Sequence, residues 1–277
     1  MTHNDRPRPL GFSDPPILRH KHYDAPAVFT PASLLREARR QKDLPLGSVP
    51  PICVLDPDGD LLDHLWSTGR AQQHPTWACY HTRLASFIHK DIAYGIVGRV
   101  VGAPFAVLVA EELFASGCRL IISITSAGQI TPLGQPPYFV LIERALRDEG
   151  TSYHYLPPAP YSVLRPELVD LVAAAWADPA LPLHIGATWT TDAPFRETEA
   201  MIATCRDAGI LAVEMEAAAL YALAAAQQRD IICFAHVTNQ MGQSGADFEK
   251  GVAQGSLAAL QVISHTANQW LARTSSG

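Results

Sequence analysis

The chain is poor in charge, in cysteine and in long apolar runs, and each shortage excludes a class. Charged residues make up 17% of its 277 positions, and Lys+Arg (21) are outnumbered by Asp+Glu (27) for a net charge of −6. A face for nucleic-acid phosphates needs the opposite excess, so no nucleic-acid partner is expected. No stretch reaches the about 18–20 apolar residues of a membrane helix. The opening residues Met1 to Leu10 lack the apolar core of a secretory signal, so no membrane partner and a cytoplasmic location are expected. The five cysteines (Cys53, Cys79, Cys118, Cys205, Cys233) are odd in number and never spaced as CxxC. That pattern suits reduced thiols better than a disulfide framework or a zinc site. There is no GxGxxG and no Walker loop, which argues against dinucleotide and nucleoside-triphosphate binding. What the chain does have is a 48% hydrophobic content, enough to exclude disorder, and length for one large α/β domain or two small ones.

Along the chain, residues 1–30 hold many of the prolines and three histidines (His3, His20, His22) at spacings that do not suggest a metal site, and read as an irregular arm. A helix is expected over Pro31–Lys42, with Leu34, Leu35 and Ala38 on one face and basic residues in its last turns. From Pro51 short apolar runs alternate with helix-like stretches. Strands are expected at Ile52–Leu55, Ile92–Val101, Leu120–Thr125, His184–Trp189, Ile210–Glu214 and Ile231–Thr238. Helices are expected at Phe105–Ser116, Tyr138–Glu149, Pro166–Trp176, Glu199–Ala208, Ala217–Gln228 and Phe248–Ala272. Alternation of this kind requires crossover connections and a largely parallel sheet.

Such sheets place ligands at the carboxyl ends of their strands. The polar residues there are Asp56 and Asp58, Arg99, Ser126, the Thr190–Arg196 segment, Glu214 and Glu216, and Asn239. Glu214 and Glu216 flank Met215 at a strand-to-helix junction. Residues i and i+2 of a helix lie on different faces, so at least one of these carboxylates belongs to the junction itself. There it accepts hydrogen bonds either from a ligand's vicinal hydroxyls or from first-turn amides. Asp56-Pro-Asp-Gly59 reads equally as a turn or as a pair of carboxylates able to activate water. By alternation His236 faces away from Asn239, as a core histidine would.

Val213-Glu-Met-Glu-Ala-Ala-Ala219 resembles the signature of the nucleoside phosphorylase superfamily. Further segments resemble it in order: Gly102-Ala-Pro104 with Glu111-Glu-Leu113 and Gly117, Thr125-Ser-Ala-Gly128, Thr191-Asp192 with Phe195, and Val237-Thr-Asn239. The likeness covers roughly residues 50–265. It implies a three-layer α/β sandwich around a twisted, mixed, mainly parallel sheet flanked by helices, with a catalytic domain over 50–277 behind an arm and helix over 1–49. It also implies cleavage of a nucleoside's N-glycosidic bond by phosphate, giving free base and pentose 1-phosphate, without metal or organic cofactor, in a homo-oligomer built on dimers.

In that resemblance Met215 and Glu216 hold the ribose hydroxyls and Glu214 lines the pocket beside them. Phe195 stacks on the base, with Arg196 next to it, and Asn239 faces the base. Ser126, after Thr125, binds phosphate or the attacking water. The chain departs from the family where phosphate is usually gripped: Gly59 and Ser123 stand at the two positions where arginines form bidentate clamps. Water is therefore an alternative nucleophile, with Asp56 or Asp58 beside it, and a nucleoside-binding sensor without turnover is a third reading. Arg99, Arg83 and Arg196 are the spare cations from which a relocated clamp would be built. Asn239 has no proton to transfer to a base. Gln240 stands where uridine phosphorylases carry an arginine.

Overall fold

The computed structural model describes residues 15–174, 176, 181, 183–241 and 248–275. The first fourteen residues of the expected arm, and residue 175 of the expected fourth helix, lie outside the described residues. The strands are β1 Ile52–Asp56, β2 Ala71–Gln73, β3 Ala85–His89, β4 Ile92–Gly98, β5 Leu120–Gln129, β6 Tyr138–Asp148, β7 Tyr161–Val163, β8 Leu183–Thr191, β9 Ile210–Glu214 and β10 Asp230–Asn239. The helices are α1 Pro31–Lys42, α2 Asp60–Ser67, α3 Ala103–Ala115, α4 Pro166–Ala173, α5 Glu199–Asp207, α6 Ala217–Gln227 and α7 Ser256–Ser275.

All the strands join one mixed sheet. β5, β10, β6, β8 and β9 close on themselves because β5 pairs with both β9 and β10; β1, β4, β3 and β2 continue outward from β5 as an open wing. β1, β4, β5 and β10 run parallel where they adjoin, as do β6, β8 and β9, and antiparallel pairings link the two groups. Helices α3 and α6 pack on one face with α1 outside them, and α2, α4 and α7 pack on the other. That is the three-layer α/β arrangement the strand–helix alternation implies.

The burial pattern explains the central strands. Every residue of β1 is buried, and β10 is buried from its second residue onward. Strands covered on both faces need continuous apolar runs, not alternation. Pro57-Asp-Gly59 ends β1, with Gly59 in the left-handed region (φ 85°) that a side chain would make costly. Helix α1 starts as its sequence predicts, with Pro31 in the first turn and the Thr30 hydroxyl accepting from the Ser33 amide at 3.2 Å.

Two expectations are corrected. Tyr138–Glu149 is not a helix: residues 138–148 form β6, between β10 and β8. Its second half is built of good helix formers, but Phe139-Val-Leu-Ile142 is fully buried, and the sheet's demand for a central strand overrides local propensity. The strand expected over Leu120–Thr125 runs further: β5 continues through Gln129, with each residue from Leu120 to Ala127 paired with β10. The C-terminal helix also begins later than expected, at Ser256, after a short 3-10 turn over Val252–Gly255. All five cysteines are buried and free. Among the described residues no helix is long and apolar enough to cross a membrane.

Tyr221 on α6 fastens the helical layer to the sheet. Its buried hydroxyl donates to the Ile142 carbonyl of β6 at 2.5 Å and accepts from the Cys233 amide of β10 at 3.1 Å. Tyr221→Phe leaves both backbone groups buried without partners. A loss of about 1–3 kcal/mol in unfolding free energy by chemical denaturation is expected; an unchanged midpoint would show the contact to be dispensable.

Candidate functional site

The β9–α6 junction is organised by Glu214. Its Oε2 accepts from the amides of Glu216 and Ala217, each at 2.7 Å, so the last strand residue caps the helix that follows. Its Oε1 accepts from the hydroxyls of Thr188 (3.1 Å) and Thr190 on β8. Burial raises its pKa, and these hydrogen bonds oppose the rise. Four donors use the acceptor capacity of one carboxylate. All four donors to Glu214 are thus groups of the protein itself, on β8 and at the start of α6.

Glu216 stands just before α6. Its Oε1 accepts from the Gly102 amide at 2.7 Å and its Oε2 from the Thr125 hydroxyl at 2.8 Å. Gly102, itself in the left-handed region (φ 89°), leads into α3, so the carboxylate also sits at the positive end of that helix. Glu216 is 1% exposed. Burial, then the nearby charge of Glu214, pushes its pKa up. Two buried carboxylates this close resist ionising together. Met215 between them is half-buried.

The next residue of β5 looks the other way. Successive strand residues point to opposite faces, and while Thr125 reaches Glu216, Ser126 Oγ donates to Asp58 Oδ2 in the turn after β1. Lys250 Nζ reaches the same Asp58 oxygen at 3.1 Å and Asp60 Oδ2 at 2.5 Å. Asp56, Asp58, Asp60, Ser126 and His236 line a cavity of about 20 Å³, room for about one water molecule. His236 pairs across the sheet with Ser126, and its ring stacks on Phe139 at 4.4 Å. Burial, with Lys250 adding to it, lowers its pKa to about 4, so the ring is neutral at pH 7. Asp56 accepts from the Leu62 amide at 2.9 Å; it caps α2 in place of Gly59, which has no side chain to do so.

Other expected residues are placed as follows. Asn239 ends β10 at 9% exposure, its Oδ1 accepting from the Met241 amide (2.9 Å) and its Nδ2 donating to Thr238 Oγ1 (3.2 Å). Ser123 is buried, and its hydroxyl has no hydrogen-bond partner among the described residues. Arg99 is turned to Asp63, with bonds of 2.6 and 3.2 Å, in an exposed pair whose guanidinium lies over Gly59. It does not join Ser126. Phe195 and Arg196 sit in a short 3-10 turn opened by Pro194, and both face solvent, Phe195 at 100% exposure. Among the described residues no group of three or more His, Cys, Asp or Glu is arranged to hold a metal ion.

Sequence reasoning did not bring Lys250, or the bond between Asp58 and Ser126, into the site. Lys250 and Asp58 lie 192 positions apart in the chain, so no local pattern brings them together. The one signal available was the composition of Asp56-Pro-Asp-Gly-Asp60, whose excess of carboxylates asks for a cation.

Fold and site together define an α/β protein with polar groups gathered at the carboxyl ends of β1, β5, β9 and β10. The family model of the phosphorylase superfamily matches residues 52–268, and the chain belongs to that superfamily. It is 32% identical over 145 residues to a guanosine phosphorylase of Halorubrum lacusprofundi, a match covering 50% of this chain and 57% of that protein. It is 27% identical over 193 residues to a uridine phosphorylase of Thermococcus kodakarensis, covering 63% and 69%. In fold it is similar to the uridine phosphorylase of Vibrio fischeri solved with 6-hydroxy-1-naphthoic acid, with a TM-score of 0.67 and 18% identity over 83% of this chain and 99% of that one. It is likewise similar to the purine nucleoside phosphorylase of Toxoplasma gondii solved with immucillin-H, with a TM-score of 0.68 and 16% identity over 82% and 93%.

Asp56 carries a pH signature. Burial, partly offset by the Leu62 amide, raises its pKa from 3.8 to about 7. A carboxyl group raised on folding holds its proton longer in the native state, so its contribution to stability is full below about pH 4 and is lost as pH rises towards 7. Asp56→Asn keeps a cap acceptor and removes the titration. The urea midpoint of this variant, measured from pH 4 to 8, is expected to fall less with rising pH than that of the parent chain. Parallel profiles would refute the assignment.

Proposed function

We propose that this chain cleaves the N-glycosidic bond of a nucleoside. The observation that carries the reading is the buried Glu216, held at the strand-to-helix junction between Gly102 and Thr125, beside Met215, in a chain of the phosphorylase superfamily. A carboxylate fixed in this way presents a pre-oriented acceptor, and a substrate's vicinal hydroxyls would compete with Thr125 for it. Hydrogen bonds set in advance in a water-poor site contribute to catalysis because they need no reorganisation as charge develops on the sugar. Asn239, at the end of β10, has an amide with a second N–H besides the one bonded to Thr238, a group able to donate to a base.

Phosphate is the first reading for the nucleophile, giving free base and pentose 1-phosphate, because the relatives bear the names of guanosine and uridine phosphorylases. Water is the second. The observation that favours it is the crowd of Asp56, Asp58 and Asp60 around Ser126, with Gly59 and Ser123 where arginines would grip phosphate.

Purified protein incubated with a panel of purine and pyrimidine nucleosides, with and without phosphate, tests both. Pentose 1-phosphate formed only with phosphate supports the first reading; free pentose without phosphate supports the second. No cleavage of any nucleoside under either condition would overturn the proposal. Glu216→Gln is expected to lower kcat/KM by about a hundredfold or more while the fold is retained. Unchanged kinetics in that variant would remove Glu216 from the site.

A further inference from the structure

Two donors from distant parts of the chain converge on one oxygen. The Ser126 hydroxyl and the Lys250 ammonium both reach Asp58 Oδ2, and Lys250 also holds Asp60. A hydroxyl and an ammonium aimed at a single oxygen position describe an anion position, and here a carboxylate of the same chain fills it. We propose that Asp58 is a resident anion that competes with inorganic phosphate for Ser126 and Lys250, and thereby sets which nucleophile the site admits. This rests on the nucleoside-cleaving reading of the site and adds the residue that decides its co-substrate.

Three observations support the assignment. The first is charge: Lys250 is the cation that Asp58 and Asp60 share, so its single positive charge is already balanced while Asp58 is in place. Arg99, which lies over Gly59 nearby, is itself paired with Asp63. The second is volume. With Asp58 docked, the space beside Ser126 is a cavity of about 20 Å³, room for about one water molecule. The third is mobility of the plug. Asp58 is the exposed residue of a turn between a buried strand end and Gly59, and its side chain retains 32% exposure. It can swing to solvent without disturbing β1 or α2, because the cap on α2 is supplied by Asp56 instead.

The effect is a competition of the ordinary kind. An internal anion at high effective concentration lowers the apparent affinity of an external one by the fraction of time it occupies the site. Removing its charge leaves Lys250 facing Asp60 alone of the two carboxylates, with the ammonium N–H and the Ser126 hydroxyl that reached Asp58 turned to the emptied position. Lys250 is thus assigned as the cation that takes over where Gly59 and Ser123 stand in place of arginines.

The test is direct binding of inorganic phosphate by isothermal titration to the parent chain, Asp58→Ala, Asp58→Asn and Asp58→Ala combined with Lys250→Met. No nucleoside is needed, so the result stands apart from whether the nucleoside reading holds. Asp58→Ala is expected to bind phosphate at least about tenfold more tightly than the parent, Asp58→Asn to show a smaller gain, and the double variant to lose the gain. Circular dichroism and thermal melting accompany each variant, and Asp58→Asn carries the test if the alanine variant melts early. Equal phosphate affinity in the parent and both single variants, or a gain that survives Lys250→Met, would overturn the proposal.

Discussion

The carboxylate of Glu214 is the contact on which the rest of the site depends. It ties the threonines of β8 to the first amides of α6, and so fixes where β9 stops and α6 begins. A free helix start leaves four amides without partners, and here the strand's own last residue satisfies two of them. Because the cap comes from within the junction, Glu216 is delivered to a fixed place against Gly102 and Thr125. The cost is a buried acid crowded by a second one. Burial raises the pKa of both, and the hydroxyl and amide donors around them keep that cost bounded.

The polar groups around Ser126 follow a different logic. At the β9–α6 junction each carboxylate oxygen has a designated neutral donor. Beside Ser126 the carboxylates of Asp58 and Asp60 share an ammonium, and Asp56 is spent on helix capping. The first arrangement is rigid and specific for hydroxyl chemistry. The second is a salt link near the surface, where exchange with solvent ions is easy. One strand, β5, supplies a residue to each.

Much of this was legible in the sequence, for reasons that can be named. Continuous apolar runs marked β1 and β10, and the apolar face of Leu34, Leu35 and Ala38 marked α1. The Glu-Met-Glu spacing at 214–216 demanded a junction, and a junction is what the structure has. β6 was not legible, because its Leu-Ile-Glu-Arg-Ala-Leu segment is at home in a helix and becomes a strand only because β10 and β8 lie on either side. The two possible uses of a junction carboxylate, ligand or cap, were both open; the structure commits Glu214 to the cap. Lys250 was illegible because its partners are set by how loops far apart in the chain meet.

The adjacency of Thr125 and Ser126 has a consequence for how such a chain can vary over time. Two chemically unlike halves hang from consecutive residues of one strand that is hydrogen-bonded on both edges within a closed ring. A one-residue insertion or deletion in β5 would swap the faces, sending the hydroxyl meant for Glu216 toward Asp58 and the reverse. The length of the strand cannot change. Divergence within this architecture is therefore free in composition and confined in spacing, with its insertions left to the turns beyond the strand ends.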